Sequence, residues 1–209
     1  MITMNKHFLL VCSLLVAAAL VMGCKRGTVI SPLPAGYDLS HPQDCTVPAE
    51  FTQSDFDWRG DVLEVSVYTE DLYDAVDVHR MQVGDLLRFD GRRIVVEDIE
   101  TDGSYITVNH GIEAGGACLQ AHEGGTYRSV LMDGHSVYTP IGRARLTLSQ
   151  DFVIHDCGIE PTDPTVTVTS GQKAYIEGLQ SSKVEFSPLD TRVRIEGGRV
   201  VEINRHWIP

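Results

Sequence analysis

Beyond residue 58 the apolar positions recur in short alternations separated by turn dipeptides, the pattern of strands with one face buried. "VLEVSVY" (62–68) places Leu63, Val65 and Val67 on one face. "LLRF" (86–89) and "RIVVEDI" (93–99) flank Asp90-Gly91, a dipeptide that tolerates the positive φ angles of a two-residue hairpin turn. "TDG" (101–103) then leads into "YITVN" (105–109), and these runs read as a three-stranded meander. Further strands are expected at 126–131, 143–148, 152–156 and 165–169, and one short helix near 171–179, entered through Ser170 as N-cap. Around Gly197-Gly198 a two-residue turn sets Val193 opposite Glu202. A three-residue loop over 196–198 sets it opposite Val201 and keeps the apolar positions together, so the longer loop is expected. The predicted fold is all-β: a sandwich or partly closed barrel of short antiparallel strands with at most one short helix.

The first part of the chain has a different texture. Residues 8–22 form an apolar run behind Lys6 and His7. That is the length of a secretory h-region, whereas a helix crossing a bilayer needs about 20 apolar residues. Residues 25–55 hold Pro32, Pro34, Pro42 and Pro48 and no sustained period, so they read as a tether. As a flexible coil a segment of that length reaches roughly 30 Å. The expected organisation is a leader (1–23), a modified cysteine with its tether (24–55) and a single β-rich domain (56–209).

Val21-Met22-Gly23-Cys24 resembles the lipobox of bacterial lipoproteins, with Gly23 as the small residue before the cysteine and Met22 where a small residue is usual. The resemblance covers the first 24 residues. It implies lipidation of Cys24, cleavage on its N-terminal side and a mature chain held outside the cytoplasm on a bacterial membrane, because several acyl chains together give stable anchoring. Cleavage after the small residues near Ala19 is the other outcome, and it leaves a freely secreted protein.

Charge narrows the partners. There are 17 Lys and Arg against 29 Asp and Glu, a formal net charge of −12, and the loss of Lys6 with the leader makes it −13. Such a field repels phosphate backbones, and no cluster of basic residues interleaved with aromatics counters it, so nucleic acid is excluded as a partner.

Candidate chemistry is sparse. Asp98, Glu100, Asp102 and Gly103 have the spacing of half a calcium loop, but the twelfth position is Asn109 and strands flank it, so a hairpin turn is expected. The segment 109–125 gathers His110, Cys118, His122 and Glu123 among five glycines, without any standard metal spacing. His155 and Cys157 stand two apart on a strand, too far along the backbone for an easy nucleophile pair. Ser136 lies in no nucleophile elbow, Arg59-Gly60-Asp61 is ordinary turn chemistry, and Trp58 and Trp207 bracket the domain as edge-closing residues or a sugar platform. No catalytic residue and no cofactor is assigned. The expected function is a membrane-anchored extracytoplasmic binding or structural module for a protein or small-molecule ligand. The alternative is a metal-dependent hydrolase built on the 109–125 loop with His135 or His155.

An extracytoplasmic chain oxidises thiols that meet. Cys118 and Cys157, both inside the β domain, are the preferred pair. Cys45 with either partner, or no bond at all, stays open.

Overall fold

The computed structural model describes residues 27–39, 44–57, 59, 61–157, 165–173 and 185–208. The leader, Cys24 and Trp58 lie outside the described residues. The strands are β1 (Val29–Ile30), β2 (Cys45–Glu50), β3 (Phe56–Asp57), β4 (Val62–Glu70), β5 (Leu72–Asp74), β6 (Leu86–Phe89), β7 (Arg92–Val95), β8 (Ile99–Asp102), β9 (Tyr105–Val108), β10 (Ala117–His122), β11 (Thr126–Ser129), β12 (Tyr138–Asp156), β13 (Thr167–Ser170), β14 (Thr191–Glu196) and β15 (Arg199–Arg205). The fold is all-β, as the alternation predicts.

Five of these strands close a barrel. β2 pairs with β4, β4 with β12, β12 with β15, β15 with β14 and β14 with β2, every pair antiparallel except β12 with β15. Numbered as barrel strands one to five, the order around the ring is 1-2-3-5-4, with three and five parallel. That is the connectivity of the OB-type Greek-key barrel. Period-two alternation supplies the filling: Val47 and Ala49, Leu63, Val65 and Val67, Leu146 and Leu148, Val193 and Ile195, Val200 and Ile203 all point inward. β12 is long enough to serve twice. Its first half pairs with β4, and after a register shift between Leu148 and Val153 its second half lies between β15 and β13.

Residues 71–137 form an insertion between the second and third barrel strands. It holds a five-stranded sheet, β5-β11-β10-β9-β8, and the β6-β7 hairpin, which β1 from the N-terminal segment extends to a three-stranded sheet. They enclose a second core of Ile30, Tyr73, Leu87, Phe89, Val108 and Leu119 with their neighbours. A short helix, Ala75–Arg80, starts where the Asp74 side chain accepts from the N–H groups of Val76 and Asp77.

Several expectations are corrected. Most of the tether belongs to the folded body: Ile30 is buried in the second core through β1, and 45–50 is the first barrel strand. There are two cores, because two residues of β1 suffice to complete a sheet around the insertion. The meander is two hairpins in different sheets, since residues 96–98 leave β7, where Asn109 accepts from the N–H groups of Glu97 and Asp98 and donates to the Val95 carbonyl. The last hairpin turns on two residues, Gly197 and Gly198, both at positive φ, and a bulge at Val201 brings Val193 opposite Ile203. Of the helix near 171–179, Gly171–Lys173 is helical and 174–179 lies outside the described residues. The helix at 75–80 is an addition.

The preferred disulfide is not formed. Cys118 lies on β10 in the inserted unit and Cys157 follows β12 in the barrel; with Cys45 they are free thiols, because the two elements fill different cores.

One polar interaction sits inside the barrel wall. Arg205, 1% exposed, donates to Asp156 Oδ1 from Nε at 2.9 Å and Nη2 at 2.6 Å, and its guanidinium lies 4.0 Å from the centre of the Phe186 ring. Removing one partner strands a buried charge. Arg205→Met is expected to cost about 3–5 kcal/mol in urea unfolding, while Asp156→Leu with Arg205→Met recovers much of it. A single-variant loss under about 1 kcal/mol contradicts this reading.

Candidate functional site

The insertion leaves a groove where it joins the barrel. Residues 32–37, held by the Leu33 N–H bond to the Leu72 carbonyl (2.6 Å), run past the adjoining ends of β4 and β12, where Tyr37 and Ile141 pack against the barrel core. One cavity, of about 370 Å³, lies between Leu33, Asp71, Thr139 and the three arginines Arg88, Arg92 and Arg93. A second, of about 500 Å³, is lined by Tyr37, Pro48, Tyr68, Glu70, Tyr138 and Arg192. Both touch Ala35, Thr69 and Ile141, so they meet there.

The polar groups of this groove are fixed before any ligand arrives. Arg192 donates to Pro188 O (2.7 Å) and to the Tyr138 hydroxyl (2.6 Å), with its guanidinium 5.2 Å from the centre of the Tyr138 ring. Tyr68 donates to Glu50, and that bond, reinforced by burial and by the carboxylate's charge, pushes the phenol up to about 12. Glu70 accepts from the Ser136 hydroxyl, with Arg128 at 3.8 Å, which ties the barrel to the insertion. The Tyr37 hydroxyl oxygen is buried without a hydrogen-bond partner among the described residues, and burial raises its pKa. Asp71, 3% exposed where the two units join, has its carboxyl raised by burial above the ordinary range.

The groove brings together Tyr37, Tyr68 and Tyr138, the oriented Arg192 with Arg88, Arg92 and Arg93 along the first cavity, and the buried Asp71 carboxyl. It also adjoins the face formed by barrel strands two and three, where ligands bind in OB-type barrels. Here that face carries Glu64, Ser66, Arg143 and Arg145. Arg143 is held by Asp55 at 2.9 Å and lies 3.8 Å from Glu64, so it is neutralised before meeting any phosphate.

The residues singled out from sequence are dispersed. His110 turns toward Asp98 (3.8 Å) and Glu100 (3.7 Å), and these three are the one group among the described residues with metal-ligand spacing. Cys118 pairs with Thr107 on the neighbouring strand, while His122 and Glu123 are exposed at the far end of β10, so the 109–125 loop gathers no ligand set. Asp102 sits at the opposite end of β8, at the hairpin turn. His155 lies 3.6 Å from Glu202, and Cys157 donates to the Arg205 carbonyl with its thiol pKa raised by burial, so each has its own partner. Ser136 is engaged by Glu70 and Arg128, and the His135 N–H bonds Asp133. Arg59 donates its N–H to Asp57, and Trp207 is exposed. Sequence reasoning missed Tyr37, Tyr68, Tyr138 and Arg192. The available signal was Tyr68, a large aromatic at the outward parity of the Leu63-Val65-Val67 alternation.

No protein-family model, no curated protein and no solved structure matches this chain. Its likeness to OB-type barrels is one of strand order alone. Among the described residues no helix is long and apolar enough to cross a membrane.

Asp71 gives a pH signature. Its folded pKa is raised, so its contribution favours the folded state below the unfolded value of about 3.8 and is lost as pH rises through the folded pKa. Asp71→Asn keeps an acceptor and removes the buried charge. Thermal melts are expected to show it more stable than the parent at pH 7, with the gain shrinking toward pH 4; an equal gain at both pH values contradicts this.

Proposed function

We propose that the chain is a lipid-anchored extracytoplasmic binding module whose ligand occupies the groove between the N-terminal segment and the barrel. The Gly23-Cys24 pattern supports the anchor, and a −13 mature chain with Arg143 of its barrel face neutralised supports a ligand other than nucleic acid. The observation that carries the binding reading is the pair of cavities meeting at Ala35, Thr69 and Ile141, with the unpartnered Tyr37 hydroxyl at one wall. A built concave site with few, oriented polar groups is the usual form of a small-molecule pocket. Aromatic faces beside Arg192 and Glu70 suit an uncharged polar ligand with apolar faces, such as a sugar ring or a short peptide.

Two measurements test the two halves. Intact-mass analysis of protein purified from membranes is expected to give an acylated N-terminus at Cys24, and Cys24→Ser is expected to abolish incorporation of a labelled fatty acid. An unmodified N-terminus contradicts the anchor. Crystals soaked with a library of small polar and aromatic fragments are expected to concentrate hits between Tyr37, Tyr138 and Arg192, and Tyr138→Ala is expected to lose them. Hits confined to other surfaces contradict the groove.

A further inference from the structure

The β1-β6-β7 sheet has one face in the second core and the other in solvent. Alternation sends Ile30, Leu87, Phe89 and Ile94 inward. The outer face carries Val29, Leu86 and Val95 in one cross-strand row and Arg88 opposite Arg93 in the next, where the two arginines also border the first cavity of the groove. Val29 is 53% and Val95 54% exposed, and Val83, in the turn before β6, is 67% exposed. Val29 and Val95 flank the half-buried Leu86, so the row forms one contiguous aliphatic strip open to water at both ends, which is unfavourable. Two arginines directly opposite are also unfavourable, and neither forms an ion pair among the described residues although the chain holds 29 acids. Protection against edge-to-edge pairing explains charge on β7, an edge strand, but Arg88 is on the central strand. The acids of this sheet stand at its ends, Asp90 in the turn and Glu97 beyond β7.

The anchor is close. Gly27 lies so near Gly84 that a Cβ there would be 2.0 Å from the Gly84 carbonyl oxygen. Thr28 donates its N–H to Asp85 Oδ1 at 2.7 Å and accepts from the Leu86 N–H at 2.9 Å. Only three peptide steps separate Cys24 from Gly27, a reach of at most about 11 Å, and Lys25 and Arg26 fall within it.

We propose that this sheet face lies against the bilayer that holds Cys24, with Val29, Leu86 and Val95 at headgroup depth and Arg88 and Arg93 on lipid phosphates. The inference rests on the reading that Cys24 is acylated. Aliphatic area and arginines together are the combination that seats a peripheral surface, the guanidinium keeping its charge in the headgroups while its stem covers apolar surface. A chain of −13 has little other reason to be drawn to a phosphate-rich surface, so the contact depends on this local pair and on the short anchor.

The test uses the processed, full-length lipoprotein purified from membranes and reconstituted into phosphatidylcholine–phosphatidylglycerol vesicles with brominated acyl chains. Val95→Trp, and separately Val29→Trp should the first fold poorly, are expected to add tryptophan emission that the bromines quench. Val168→Trp, exposed on β13 beside the second half of β12, is expected to add emission that they leave unquenched. Arg88→Gln and Arg93→Gln are each expected to lower the docked-to-undocked ratio about fivefold on anionic vesicles, less so at high salt. Protein that floats with the vesicles but shows no quenching at 95 or 29 overturns the inference and leaves the anchor standing. Protein that does not float overturns the anchor and the inference with it. Shielding of these positions that rises with protein concentration in lipid-free detergent assigns the face to a second copy, which also overturns it.

Discussion

Asp85 is a buried carboxylate that holds two separate pieces of backbone, and much of the molecule's arrangement follows from it. One oxygen accepts from Thr28 N–H, the other from Gln82 N–H at 2.9 Å. That clamp sets the parallel pairing of β1 with β6, and β1 completes the sheet over the second core. The same segment then continues as the wall of the groove through Leu33, Ala35 and Tyr37 before entering the barrel as β2. A buried carboxylate satisfied by backbone donors is costly to disturb, because losing either donor leaves charge without compensation. The N-terminal part of the chain is therefore a structural strap joining insertion, groove and barrel.

The barrel supplies the rigid counterpart. Closure removes the unpaired edges that an open sheet of these strands would present. The insertion enters from the end of β4 and returns at the start of β12, the two neighbouring barrel strands whose adjoining ends border the groove. Glu70, Ser136 and Arg128 bind the two units at that junction. The groove is thus placed by the chain's topology, and its polar groups are held by bonds made within the protein. Groups held in this way lose little freedom on association with another molecule.

How much of this was legible varied with the range of the interaction. Leu63, Val65 and Val67 read correctly as one inward face because alternation is local, and Asp90-Gly91 read correctly as a turn because both residues occupy positive φ there. The bulge at Val201 was hidden behind two adjacent valines, of which Val200 points inward and Val201 is the extra residue. The closing pair β12 with β15 joins segments distant in sequence, and no local pattern announces a parallel pairing. The proline-rich stretch from Lys25 to Asp55 misled because its prolines suggest a coil, while β1 offers only two residues of strand and Gly27 signals its close approach only once Gly84 is in place. Among site residues, the loop that looked richest in ligands, 109–125, spreads them along β10. Arg192 and Tyr138 meet only through the closed barrel.

The strap leaves almost no tether, so that a chain anchored at Cys24 carries its folded body at the bilayer surface. Neutron reflectometry of the lipidated protein on a supported bilayer, in several water contrasts, measures the hydrated space between headgroups and protein directly. The account predicts protein density beginning within about 11 Å of the headgroup layer, the reach of three residues. A water-filled gap of roughly 30 Å, the reach of a flexible tether running to residue 55, would contradict it.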